Sequence, residues 1–375
     1  MEKELNLNVF FLSYGIYEYD GRLRELIKIA KKLGKTQYIT QALSQDMKQE
    51  EKHYIINNKG ILGYLKFILY SIFKGVKMEK IDILFVDNRK AIIPALIIKL
   101  IKKPKYIIQD VRELYVLNEV KHVVGKIGCV FEKKFIKKAD IIICANNHRA
   151  EIMKNYYGLH LYPLVYENIR SLEYLGKFTK KELEERYGHY FKNTTVKIVS
   201  TSGCSINRTN DKLVSAMIDL GERFELFLIG GGSKKDIYEI KKIIDENKLD
   251  NIYLIDKLET EELKYFLGNC HIGVVNYHKK DMNNKYCASG KIYEYLFEGL
   301  PVVTTENVPL VEMCNNYKIG IADDNYVEAI KEVAKRYSYY TENVKKYINN
   351  LSVEENNLKL IEEIKSLIKN NVEGC

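Results

Sequence analysis

Ser289, Gly290, Lys291 and Glu294 stand at the head of a helical apolar pattern formed by Ile292, Leu296 and Phe297. The Ser289 hydroxyl is placed to cap that helix by accepting from the free N–H groups of its first turn. Those N–H groups, the positive end of the helix dipole, a glycine that allows close approach and a lysine make a site for an anion, above all phosphate. Glu294 follows Lys291 by three residues and projects from the same side. Gly299 ends the helix, Pro301 prevents its resumption, and residues 302–305 read as a short buried strand. The same residues also suit an ordinary helix–strand unit with a charged start, and spacing alone does not separate the two readings.

Other groups could work with them. Asp110, Arg112 and Glu113 crowd three ionisable side chains into four residues at the end of the apolar run 105–110, and are the candidate catalytic residues. The Arg112 fork can hold an anion in two places, but it keeps its proton and cannot act as a base. A structural cluster at a helix start is the alternative. Arg208 and Lys212 stand four apart on a helix start, hence on one face. Two cations there could meet an anion, and a solvated helix face is the alternative. Gly203, and Gly230 with Gly231, follow strand patterns at 197–203 and 225–229, where open α/β sheets give ligands access to backbone. Gly15 follows the strand pattern 7–12 and either admits a ligand or makes a plain turn. His148 reads as a surface or capping residue. No G-x-G-x-x-G is present, which weakens a dinucleotide dehydrogenase reading.

The elements that must position these residues alternate. Strand patterns at 7–12, 81–87, 105–110 and 140–145 are separated by helical ones, and the order continues from 197 to 305. Such alternation predicts an α/β architecture with parallel sheets. Residues 36–60 are polar and weakly patterned, residues 170–194 read as a polar helical linker, and 357–370 form an amphipathic helix. Residues 61–77 are apolar with lysines interleaved. They predict a long buried helix with snorkelling lysine stems, or else a helix lying on a membrane surface.

Bulk properties set the frame. The 375 residues suggest two domains, and 46% hydrophobic with 29% charged residues describe a soluble globular chain. No signal peptide and no stretch of about 20 apolar residues is recognised. Seven cysteines without a C-x-x-C pair argue for reduced thiols in a cytosol and against zinc. Residues 1–187 carry 34 Lys+Arg against 22 Asp+Glu, while the remainder carries 25 against 28. The first half is therefore the one suited to an anionic partner. No nucleic-acid-binding motif accompanies it, so a membrane surface is the partner considered.

The segment SGKIYEYLFEGLPVVTT, residues 289–305, resembles the nucleotide-sugar-binding segment of bacterial GT-B glycosyltransferases, and within them glycosyltransferase family 4. YEYDGRLREL and QDVRELY resemble loops of the family, and residues 251–277 repeat its strand, loop, helix and strand order, so that the likeness runs from about residue 8 to 350. It implies two Rossmann-like domains with parallel sheets facing across a cleft. The boundaries are 1–170 for an acceptor-binding domain, 171–194 for a linker and 195–352 for a nucleotide-sugar-binding domain. Residues 353–375 would form a C-terminal helix returning to the first domain. It further implies that the start of the helix at Ser289, Gly290 and Lys291 receives the donor pyrophosphate. Glu294 would take the ribose hydroxyls, a task that suits a carboxylate because it accepts twice from a vicinal diol. Arg208 and Lys212 would neutralise the diphosphate, and the loop at Lys257 and Leu258 would receive the base.

The expected reaction moves a sugar from a nucleoside-diphosphate sugar, UDP-linked by family frequency, to a hydroxyl of a glycan or lipid-linked acceptor, with retention. Surface polysaccharide synthesis at the inner face of the plasma membrane is the implied setting. No D-x-D lies at a probable sheet end, so neither a metal nor another cofactor is expected. Two positions depart from the pattern. Tyr286 stands where many relatives carry a glutamate that touches the donor sugar, and Arg112 replaces a histidine. They leave open a catalytically silent partner subunit, and a sugar-nucleotide epimerase, which needs no acceptor, is a third reading.

Overall fold

The structure is a computed structural model that describes residues 7–18, 20–42, 53–56, 60–173 and 176–373. The chain divides into two compact units, Met1–Asn168 with Val353–Cys375, and Ile169–Ser352. The first holds β1 (Leu7–Ile16), α1 (Gly21–Leu33), β2 (Gly34–Gln41), β3 (His53–Ile56), α2 (Gly60–Lys77), β4 (Ile83–Asp87) and α3 (Ile92–Lys102). It continues with β5 (Tyr106–Asp110), α4 (Val123–Ile136), β6 (Ile141–Cys144), α5 (Asn147–Tyr157) and β7 (Leu164–Val165). Among the described residues its sheet is fully parallel, with strand order β3-β2-β1-β4-β5-β6-β7.

Period-2 alternation in β1 explains the layers. Val9 and Phe11 pack under α1 together with Leu360, Ile361, Ile364 and Ile368 of the C-terminal helix, whereas Phe10 and Leu12 pack on the opposite face against Phe67, Ala95 and Ile98. A strand buried on both faces reads as a continuous apolar run, as this one does. Asp20 caps α1 by accepting from Leu23 N–H at 3.0 Å, and Asn146 caps α5 by accepting from Arg149 N–H at 2.9 Å.

Two expectations fail in this unit. β3 and all but the first two residues of β2 lie within 36–60, which reads as polar and weakly patterned. Their polar side chains are matched inside the sheet, with Thr40 Oγ1 2.8 Å from His53 Nε2 and the His53 ring stacked on Tyr38. The rest of that stretch, 43–52 and 57–59, falls outside the described residues. α2 is also not a buried helix, because only Gly63, Phe67, Ser71 and Gly75 are enclosed.

The second unit begins with α6 (Lys180–Tyr187), β8 (Val196–Ser200), α7 (Asn210–Leu220), β9 (Phe224–Ile229), α8 (Lys234–Asn247), β10 (Ile252–Ile255) and α9 (Thr260–Gly268). It ends with β11 (Ile272–Val275), α10 (Met282–Lys285), α11 (Gly290–Phe297), β12 (Val302–Thr304), α12 (Val308–Tyr317), β13 (Gly320–Ala322), α13 (Tyr326–Lys335) and α14 (Tyr337–Ile348). The last helix, α15 (Val353–Glu373), groups with the first unit. The second sheet is parallel too, in order β10-β9-β8-β11-β12-β13 among the described residues. Both orders reverse beside the first strand of their unit, and an open α/β sheet binds ligands at that switch point, beyond the C-terminal strand ends.

Residues 171–194, expected as a linker, lie in the second unit. Glu261 accepts from the Lys177 and Phe178 N–H groups at 3.0 and 2.8 Å, and Glu262 takes Tyr187 Oη at 2.7 Å and Arg186 at 3.2 Å. The acidic first turn of α9 thus holds the basic, aromatic segment in place, a pairing distant in sequence.

Candidate functional site

The switch point of the second sheet lies between β8 and β11, and the head of α11 sits against it. Tyr295 and Lys291 are one helical turn apart and grip the same residue. Thr201, just after β8, donates its N–H to Tyr295 Oη at 2.9 Å, and its carbonyl accepts from Lys291 Nζ at 2.7 Å. A buried polar group supports the floor. Asn210 donates to the Gly203 carbonyl at 2.5 Å and accepts from Asn276 at 2.7 Å, while Asn276 accepts from Ser202 Oγ at 3.2 Å. The segment before α11 is tied down by Asn307, which donates to the Asn284 carbonyl at 2.7 Å.

Ser289 differs from expectation. It occupies the N-cap position but its side chain makes no capping bond. Its hydroxyl is buried and has no hydrogen-bond partner. A hydroxyl held this way costs about 1–3 kcal/mol, and the uncapped helix start leaves its own first N–H groups without intrahelical partners. Both defects would be relieved by an acceptor of several bonds at the head of α11.

Charge converges on the same place. Arg170 lies across Gly290 so closely that a Cβ at 290 would stand 2.5 Å from the guanidinium carbon, and its Nε pairs with Glu294 Oε1 at 2.6 Å. Arg208 stacks over the Tyr277 ring at 4.0 Å and donates to Asn284 Oδ1 at 3.3 Å. Burial pushes the Lys291 ammonium down to about 8; Glu294 opposes that shift, and Arg208 and Arg170 add to it. Three cations and one carboxylate therefore share this site, a surplus of positive charge that suits a diphosphate.

The remaining sequence candidates divide. Gly203 packs on the glycine loop after β9: its φ is +60°, a Cβ there would overlap the Gly231 carbonyl, and Cys204 N–H reaches that carbonyl at 2.6 Å. Gly230 N–H bonds the Ile255 carbonyl at 3.0 Å, which brings the end of β10, and the loop with exposed Lys257 and half-buried Leu258, beside that glycine loop. Lys212 does not share a face with Arg208. Arg208 ends a single 3-10 turn, Thr209 turns left-handed at φ 56°, and Lys212 is exposed in the first turn of α7. Arg170, Thr201, Tyr295 and the Asn210–Asn276 pair carry no local sequence signal.

In the first unit, Asp110 and Arg112 sit at the sheet rim within one ionic cluster. Both Asp110 oxygens accept from Arg22, at 2.5 and 2.9 Å. Arg112 donates to both Asp87 oxygens at 2.5 and 2.6 Å and to Asp20. Ser13 donates to Asp87 at 2.6 Å, and Gly15 donates its N–H to Ser13 Oγ at 2.9 Å. Burial raises the Asp87 carboxyl; Arg112 opposes this, and Asp110 and Asp20 add to it. Asp110 is fully enclosed and the Arg112 fork is occupied, so the two lock the β1, β4 and β5 ends together. Glu113 is half-buried beside them and joins no hydrogen bond or ion pair among the described residues.

No protein-family model matches the sequence, and no curated protein sequence does. Solved structures do. Sucrose-phosphate synthase from Thermosynechococcus elongatus is 13% identical with a TM-score of 0.75, covering 97% of this chain and 100% of that one. A glycosyltransferase from Rickettsia africae is 17% identical with a TM-score of 0.71, covering 98% and 100%. HepE from Anabaena, in complex with UDP and glucose, is 13% identical with a TM-score of 0.70, covering 96% and 100%. The chain has the GT-B fold. In GT-B terms, α11 belongs to the second Rossmann-like unit, and α15 is the C-terminal helix that returns to the first.

Proposed function

We propose that this GT-B protein is a glycosyltransferase using a nucleoside-diphosphate sugar, with its donor site at the head of α11. The observation that carries the reading is the convergence of Lys291, Arg208 and Arg170 on an uncapped helix start beside the unpartnered Ser289 hydroxyl. There the diphosphate would accept from Ser289 and the first-turn N–H groups. Lys291 and Arg208 would offset the negative charge that develops as the sugar–phosphate bond breaks. Glu294, oriented by Arg170, would accept from the ribose diol. Backbone groups of the Lys257–Leu258 loop would meet the base, and the glycine loop with Gly203, Gly230 and Gly231 would face the donor. We assign a UDP-sugar donor, a retaining course and a glycan or lipid-linked hydroxyl acceptor, as in surface polysaccharide synthesis. The likeness to HepE, solved with UDP, supports the uridine choice.

Because side-chain cations supply the charge in this scheme, transfer is expected to proceed in EDTA. The test follows release of nucleoside diphosphate from a panel of UDP-, GDP- and dTDP-sugars in EDTA, with octyl glycosides offered as acceptors. The expected result is acceptor-dependent release from one UDP-sugar, lost in Arg208→Ala without a change in melting temperature. Acceptor-independent conversion of the donor would point to an epimerase, and no turnover of any donor to a silent partner subunit.

A further inference from the structure

Two helices on one side of the first sheet turn apolar side chains to solvent. In α2, Ile61 and Leu62 are 81% and 76% exposed, and Leu65, Leu69, Phe73 and Val76 are exposed with them. At 3.6 residues per turn these six occupy about a third of the helix circumference, opposite the buried Gly63, Phe67, Ser71 and Gly75. A helix that only packed on the core would carry polar residues there. α4 repeats the pattern with Val123, Val124, Ile127, Val130 and Phe131. A groove of about 800 Å³ lies between the stripes, lined by Ile61 and Tyr64 of α2, Ile93 of α3 and Val124, Ile127 and Phe131 of α4. The two stripes therefore form one surface, larger in character than the scattered apolar side chains of an ordinary exterior.

Charge selects what covers it. Residues 60–138 hold 17 Lys+Arg against seven Asp+Glu. Four of those acids, Asp82, Asp87, Asp110 and Glu132, are buried and paired with cations of the same unit. Lys66 and Lys77 are exposed beside the α2 stripe, and Lys126 and Lys133 on α4. A second copy of the chain would oppose two basic faces. An apolar stripe flanked by lysines instead matches the headgroup boundary of an anionic bilayer. Among the described residues no helix is long and apolar enough to cross a membrane, so the contact is with its surface.

We propose that the α2–α4 face docks the protein on the surface of an anionic phospholipid bilayer. The apolar stripes enter the headgroup boundary, the lysines meet lipid phosphates, and the groove accommodates an acyl chain. This rests on the first unit alone and is independent of the donor reading.

The test is co-sedimentation of the full chain with vesicles of phosphatidylcholine alone and of phosphatidylcholine mixed with phosphatidylglycerol. It is repeated with the exposed-site variant Leu62→Gln/Leu69→Gln/Phe73→Gln. Binding is expected only to the anionic vesicles, weakened by added salt and reduced about tenfold or more in the variant at an unchanged melting temperature. Failure of the wild-type chain to bind anionic vesicles, or equal binding by the variant, would overturn the proposal. So would a concentration-dependent dimer in sedimentation velocity that the variant abolishes. UDP titration of the same samples reads the donor site separately, so the two proposals fail independently.

Discussion

Lys291 is a side chain whose charge depends on its surroundings. Its charge is conditional, because burial holds the ammonium down to about 8, with Glu294 opposing and Arg208 and Arg170 adding. Below that pH it is a cation that can meet a diphosphate; above it, a neutral amine that cannot. UDP affinity is therefore predicted to fall as pH rises from about 7 to about 9.5, by at most about tenfold per pH unit above the Lys291 pKa. Lys291→Arg should flatten that decline, because a guanidinium keeps its proton throughout. Calorimetric affinities across this range check the sign, and an affinity that rises with pH would remove Lys291 from the site. The sequence showed Ser289, Gly290, Lys291 and Glu294 as a group because they are local on one helix. It could not show Arg170, whose approach to Gly290 and Glu294 is set by the tertiary fold. It also misassigned the Ser289 hydroxyl, since capping depends on rotamer and backbone rather than residue type.

At the scale of elements, strand ends are held by buried charge. Three carboxylates, Asp20, Asp87 and Asp110, share two guanidiniums, those of Arg22 and Arg112, at the rim formed by β1, β4 and β5. Removing one partner from such a cluster leaves charge buried without compensation, which costs about 3–5 kcal/mol. Arg112→Met is predicted to destabilise the first unit by that amount in urea unfolding followed by circular dichroism. A change under about 1 kcal/mol would show that the cluster is not structural and would reopen a role for Arg112 toward substrate. The sequence made the apolar strands β1, β4 and β5 legible because both of their faces are buried and the run is continuous. It hid β2 and β3, where Thr40 and His53 satisfy one another inside the sheet. It described α2 as apolar correctly but did not separate a buried helix from one lying on a membrane surface, because composition alone does not say which face of a helix has a neighbour.

At the scale of the molecule, two units with parallel sheets in the same strand order are built from unlike sequences. Structures only 13–17% identical match almost the full chain at TM-scores of 0.70–0.75. Alternating strands and amphipathic helices tolerate that divergence, since they require apolar character and volume rather than particular residues. The residues at the head of α11 were readable because they are neighbours on one helix, while Arg170 and Arg208 reach them only through the tertiary fold. The uneven charge was legible too, and most of the first half's excess falls within residues 60–138, the stretch that includes α2 and α4. The most direct measurement is a calorimetric titration of UDP into the wild-type chain and into Lys291→Ala, in EDTA at about pH 7. The donor site at α11 predicts one-to-one binding that weakens by about 1.5–3 kcal/mol in the variant, as expected for a hydrogen bond to a charged group. Wild-type binding with no loss in Lys291→Ala, or no binding of UDP at all, would contradict it.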